Sequence, residues 1–191
     1  MVQVVERLLI DDEFALLPPD PDGMRSELVC GRVVMSPPTG FRHGYLSVRI
    51  ARQLDEFADR HDLGAVTVGS GFSFTPDRLN VRAPDVSFTS NERLAQVTIR
   101  EQGYTLLAPD LCVEVLSPGN TAAAMREKVA LYLATGVQRV WLVDGQRKTV
   151  TVHRPGAAPE TLGAGDTLTS DDAGFGVEGF FLSLGQLFQS T

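Results

Sequence analysis

Only two cysteines, Cys30 and Cys112, occur in 191 residues, too few for a disulfide framework or a four-cysteine zinc site. Both are expected as free thiols in a reducing, cytoplasmic setting. No apolar run approaches the ~18 residues that a bilayer-spanning helix needs, so no membrane partner is expected. The three histidines, His43, His61 and His153, lack the spacing of a zinc site. No serine is framed as a nucleophile elbow. Gly69-Ser70-Gly71 lies inside a strand pattern with no helix after it, so it reads as a bulge or close backbone approach, not a phosphate loop. Internal repeats and low-complexity tracts are missing too. Met1 to Glu13 carries four acids and one arginine, unlike a basic, apolar secretory signal.

Lysine is as scarce as cysteine. Lys128 and Lys148 stand against fifteen arginines, so a retained lysine points to a need for compact charge. Basic charge is short overall, with a net charge of −7. That argues against tight, nonspecific binding of nucleic acid. The distribution softens the objection. Residues 1–27 and 155–191 each carry −5, whereas 28–154 carries +3.

What is present is a globular composition, 43% hydrophobic and 21% charged, enough for one compact domain over 1–191. Glu27 to Met35 predicts a hairpin around Cys30-Gly31. Leu46, Ile50, Leu54 and Phe57 recur at helical spacing over 43–58, with Gly64 closing the helix. Ala65 to Phe74 and Val81 to Thr89 read as strands, antiparallel across the turn at 75–80. Residues 90–104 are irregular, with at most one helical turn. Asp110 to Leu116 reads as a buried strand and Ala122 to Thr135 as a helix capped by the turn before it. Arg139 to Asp144 and Thr149 to Arg154 are strands, and the Gly-rich tail adds two more strands or edges and a short final turn. The order over 43–144 is helix, three strands, helix, strand, a mixed α/β sheet with helices on its faces.

Three residues are out of place in that frame. Glu114 interrupts Leu111-Cys112-Val113-Glu114-Val115-Leu116, where a carboxylate needs a cation or a metal. Asp85 follows Pro84 at a strand start, where it serves either as a turn residue or as a second carboxylate beside Glu114. Two such groups repel unless a hard divalent cation lies between them. Lys128 lies on the next helix, with Tyr132 one turn on. Spacing alone leaves it open between a surface lysine and a site lysine. Glu27 and His43 are weaker candidates, each with an ordinary surface or capping reading.

The ordered fragments carry a resemblance. They are Ser26-Glu27-Leu28-Val29 with Gly31, Met35-Ser36-Pro37-Pro38, His43, Ala83-Pro84-Asp85-Val86, Ala108-Pro109-Asp110-Leu111 and Val113 to Pro118. Lys128, Tyr132, Gly136-Val137 and Trp141-Leu142-Val143-Asp144 complete the set. Over nearly its whole length the chain resembles the Uma-type family of putative restriction endonucleases, a branch of the PD-(D/E)XK nucleases. The resemblance implies a restriction-endonuclease-like mixed sheet core flanked by helices, with extra N- and C-terminal β elements. It implies an endonuclease hydrolysing DNA with Mg²⁺ or Mn²⁺. Asp85 and Glu114 match the two acidic positions, and the Val115 backbone joins them as metal ligand. Leu116 occupies the usual lysine position, and Lys128 fits a lysine moved to the following helix. Ala124 stands where relatives often carry an Asp. Glu27 matches an acid before the core. Arg42, Arg49 and Arg52 are candidates for the DNA backbone, with His43 and Tyr132 also on the substrate side. A nuclease that cuts both strands would pair as a homodimer. The alternatives are a catalytically weak relative that binds nucleic acid or a partner, and a small acidic protein with no nucleic-acid role.

Overall fold

A computed structural model describes residues 7–189, so the first six residues of the acidic N-terminal flank and the last two of the chain lie outside the described residues. A short helix α1 (Asp11–Ala15) precedes the hairpin of β1 (Arg25–Val29) and β2 (Arg32–Ser36). Cys30 (φ 49°) and Gly31 (φ 77°) form its turn. Two successive left-handed residues give the turn whose twist matches paired strands.

Helix α2 (Phe41–Arg60) buries Leu46, Ile50, Leu54 and Phe57 along one stripe. Its end differs from the expectation. Asp62 takes the left-handed conformation (φ 51°), and the Leu63 N–H returns to the Ala58 carbonyl at 2.9 Å. Asp tolerates that conformation through its short polar side chain. Gly64 opens the next strand instead. A Cβ there would stand 2.1 Å from the Thr89 carbonyl oxygen.

The two strands expected over 65–74 and 81–89 are each divided. The pieces are β3 (Gly64–Val68) and β4 (Phe72–Ser73), then β5 (Val81–Arg82) and β6 (Val86–Ser90). The reason is local. Gly69 (φ 61°) turns the chain out of one sheet, and Pro84, which has no N–H for a ladder, marks its return. The Gly69 N–H ties the two breaks together through the Pro84 and Asp85 carbonyls at 3.1 and 3.2 Å. β4 and β5 are antiparallel, as the turn at 75–80 requires.

A single-turn helix α3 (Asn91–Leu94) and β7 (Thr105–Leu106) lead to β8 (Leu111–Val115), α4 (Ala122–Ala134), β9 (Arg139–Asp144) and β10 (Thr149–His153). The tail adds β11 (Glu160–Leu162), β12 (Thr167–Thr169), α5 (Ser170–Ala173), β13 (Phe181–Ser183) and α6 (Leu184–Phe188), more than the two strands expected. The main sheet has the order β11-β10-β9-β8-β6-β3, and a second has the order β2-β1-β5-β4-β7. β8 and β9 are parallel, joined by the α4 crossover, while β6 is antiparallel to both β3 and β8. The helix, three strands, helix, strand order therefore holds within the main sheet, and β4, β5, α3 and β7 are insertions into it.

Alternation along β8 sorts its side chains between the two faces of the main sheet. Leu111, Val113 and Val115 face α2, in a core with Val86, Phe88, Trp141 and Val143. Cys112 faces the other way, with Val129, Tyr132 and Val140. Each fully buried side chain of this size contributes about 1.5–3 kcal/mol. Glu114, two residues after Cys112, is thereby turned toward α4. Trp141 is fully buried and donates from Nε1 to the Asp172 carbonyl at 2.7 Å, which anchors the tail on the α2 side. Among the described residues no helix is long and apolar enough to cross a membrane.

Candidate active site

Glu114 meets two groups of α4. Lys128 and Tyr132 are four residues apart and share a helix face. Lys128 Nζ lies 2.9 Å from Glu114 Oε1, and the Tyr132 hydroxyl donates to the same oxygen at 2.7 Å. The lysine makes a second bond of 2.9 Å to Glu27 Oε1 on β1. Its side chain is only 14% exposed, so it is no surface lysine. Glu27 also accepts from the Ala83 N–H at 3.0 Å and from Arg82 Nη1 at 3.2 Å.

Asp85 comes from the other strand. The β6–β8 register pairs Val86 with Val113, and one step further sets Asp85 opposite Glu114. Its Oδ2 accepts from the Val115 N–H at 2.8 Å and lies 3.0 Å from His43 Nε2. Arg25 Nη1 approaches Oδ1 at 3.6 Å. Arg25 and Glu27 lie two residues apart on β1 and so point to one side of it. Gly69 makes room, since a Cβ there would meet Arg25 Nη2 at 2.5 Å.

Burial and charge compete in this cluster. Burial pushes Glu114 up to about 7, against the pull of Lys128 and with help from Asp85 and Glu27. Burial opposes the Lys128 charge, but Glu114 and Glu27 outweigh it and raise its pKa. Burial also works against the Glu27 carboxylate. There Lys128, the Ala83 N–H and Arg82 outweigh burial and hold Glu27 below the ordinary carboxylate value. Tyr132 is pushed well up, first by burial and then by Glu114, so its hydroxyl stays protonated and donates.

The expected acids, lysine and His43 thus converge, whereas the expected DNA contacts divide. Arg42 donates from Nη1 to the Gly145 carbonyl at 3.3 Å, beside the β9–β10 turn. Arg49 donates to the Tyr45 hydroxyl at 2.9 Å, and Arg52 is exposed on the solvent side of α2. Tyr132 is fully buried, so it supports Glu114 and offers no surface to a substrate. Arg25 and Arg82 escaped the sequence reading. The strand offset from Glu27 would have found Arg25. Ala124 is exposed in the first turn of α4, and its N–H donates to the hydroxyl of the capping residue Thr121 at 3.2 Å.

The donor set suits a hard ion. Asp85 and Glu114 supply carboxylate oxygens, and Mg²⁺ is held by one or two carboxylates plus water and substrate oxygens. Among the described residues no group of three or more His, Cys, Asp or Glu side chains is placed to hold a metal ion. A separate cavity of about 720 Å³ opens between α4 and the β9–β10 hairpin, lined by Met125, Val129, Leu133, Leu142 and His153. It includes none of the cluster residues.

A family model for Uma2, described as putative restriction endonuclease, matches residues 11–184. No curated protein matches the sequence. The crystal structure of a putative nuclease from Anabaena variabilis ATCC 29413 has the same fold. Its TM-score is 0.76 at 22% identity, over 94% of this chain and 97% of that one.

Proposed function

Because the chain belongs to the Uma2 family of putative restriction endonucleases, we propose that it is a metal-dependent endonuclease that hydrolyses DNA phosphodiester bonds at the Glu27, Asp85, Glu114 and Lys128 cluster. The observation that carries this reading is the pair of charge-assisted hydrogen bonds that Lys128 Nζ donates to Glu114 Oε1 and Glu27 Oε1. Glu114 and Glu27 keep this lysine charged inside the protein, the sheet register sets Glu114 opposite Asp85, and clusters of perturbed charge of this kind gather at functional sites.

Asp85 and Glu114, with the Val115 backbone, would hold Mg²⁺ or Mn²⁺. Such an ion, when bound, supplies Lewis acidity to the scissile phosphate and the attacking water. The protein's own groups do the rest. Lys128 stays protonated between its two carboxylates, so it donates to developing negative charge and does not act as a base. Glu27 fixes that ammonium from the far side, and Tyr132 fixes the Glu114 carboxylate. His43 and the Val115 N–H hold Asp85 in position. Water attacks phosphorus, one P–O ester bond breaks, and a phosphate monoester and a free hydroxyl leave. A homodimer would present one such site to each strand, and the free Cys30 and Cys112 suit a cytoplasmic location.

The test is the purified full chain with Mg²⁺ or Mn²⁺ on single-stranded, double-stranded and branched DNA. Cleavage that is lost in Glu114→Gln is the expected result. Inertness of the wild type on all three substrates with both metals would overturn it.

A further inference from the structure

The N-terminal half of α2 carries three planar groups that the hydrolytic cluster does not use. Phe41, Tyr45 and Arg49 follow at four-residue spacing and stand above one another on the helix surface. The Phe41 and Tyr45 rings are stacked, with centroids 6.1 Å apart and planes 17° apart. The Arg49 guanidinium continues the column 5.6 Å from the Tyr45 ring and is held there by its bond to the Tyr45 hydroxyl. The outer end is open, for Phe41 is 79% exposed. This side of α2 lies away from the Leu46, Ile50, Leu54 and Phe57 stripe, so the core does not require an aromatic there.

Charge runs along the helix in an unusual sense. Residues 41–54 contain Arg42, Arg49 and Arg52 and no acid, whereas Asp55, Glu56 and Asp59 gather toward the other end. A helix dipole favours the reverse order. The basic half is the half that reaches the acids, since His43 touches Asp85 from the first turn.

We propose that the Phe41–Tyr45–Arg49 column is a stacking platform for the unpaired bases of single-stranded DNA, with Arg49 and Arg52 beside its backbone. The open Phe41 face accepts any base, and the neighbouring arginines offset the phosphates. This rests on the nuclease reading of the adjacent cluster and sharpens it. The substrate is DNA with a single-stranded end or gap, not blunt duplex.

The experiment is fluorescence anisotropy of a labelled single strand and of the matching blunt duplex, without metal, against wild type, Phe41→Ala and Phe41→Trp. Phe41→Ala should weaken single-strand binding about tenfold, well beyond its effect on duplex, and Phe41→Trp should restore it. Equal losses on both DNAs, no loss in Phe41→Ala, or no single-strand binding by the wild type would each overturn the platform. A companion cleavage assay separates the two readings. Metal-dependent cleavage with unaltered single-strand binding in Phe41→Ala removes the platform alone. An intact platform on a protein that never cleaves removes the hydrolytic reading alone.

Discussion

Lys128 Nζ stands 2.9 Å from Glu114 Oε1 although one residue lies on a helix and the other on the strand before it. The parallel crossover makes the contact. α4 runs back over β8, so its Lys128 and Tyr132 descend on the strand position whose side chain points toward the helix.

Removing the ammonium should leave Glu114 and Glu27 facing each other with no cation between them. Lys128→Met is expected to lower stability by about 3 kcal/mol. Urea unfolding measures this. Glu27→Gln in the same background should recover part of the loss, and strictly additive effects would speak against the bridge.

Glu114 gives stability a pH dependence of definite sign. Its folded pKa, about 7, lies above the ordinary 4.5, so the fold favours the protonated form. The carboxylate therefore costs stability increasingly as pH rises from 4.5 to 7, and the cost is constant above that. Without metal, the melting temperature of Glu114→Gln minus that of the wild type should grow across this window. Parallel curves would sink the expectation.

Divalent binding should need the carboxylates ionised. Calorimetry with Mn²⁺ is expected to show one site in the wild type, stronger at about pH 8 than at about pH 6, and none in Asp85→Asn. The sign comes from Glu114, which must shed its proton before it ligates. Affinity that is flat with pH would place the ion elsewhere.

Gly64 is set by contact. A methyl group there would overlap the Thr89 carbonyl on β6. Gly64→Ala should cost about 3 kcal/mol by forcing β3 away from β6, read as a lower urea midpoint. A change within ~0.5 kcal/mol would show that the strands shift freely.

The sequence made the acids and the lysine visible because each broke a local rule. Glu114 interrupted an apolar run, Asp85 followed a strand proline, and Lys128 was one of two lysines in a chain rich in arginine. Arg25 and Arg82 broke no rule, being two of fifteen arginines in short strands. The exchange between sheets was hidden for a different reason. Gly69 reads as a bulge and Pro84 as the mark of a strand start, whereas the strand order shows the chain leaving the main sheet and coming back to it between them. Phe41 lies before the helix expected from residue 43, and its open stacked ring is a property of three dimensions alone.

Chain order brings the cluster's lysine last. A ribosome completes Glu27, Asp85 and Glu114 before it makes Lys128. A nascent chain that stops short of α4 carries the three acids with Arg25, Arg82 and His43 but without the ammonium that joins two of them. Emergence of α4 supplies it, so the bridge between Glu27 and Glu114 forms only after the crossover helix has been made.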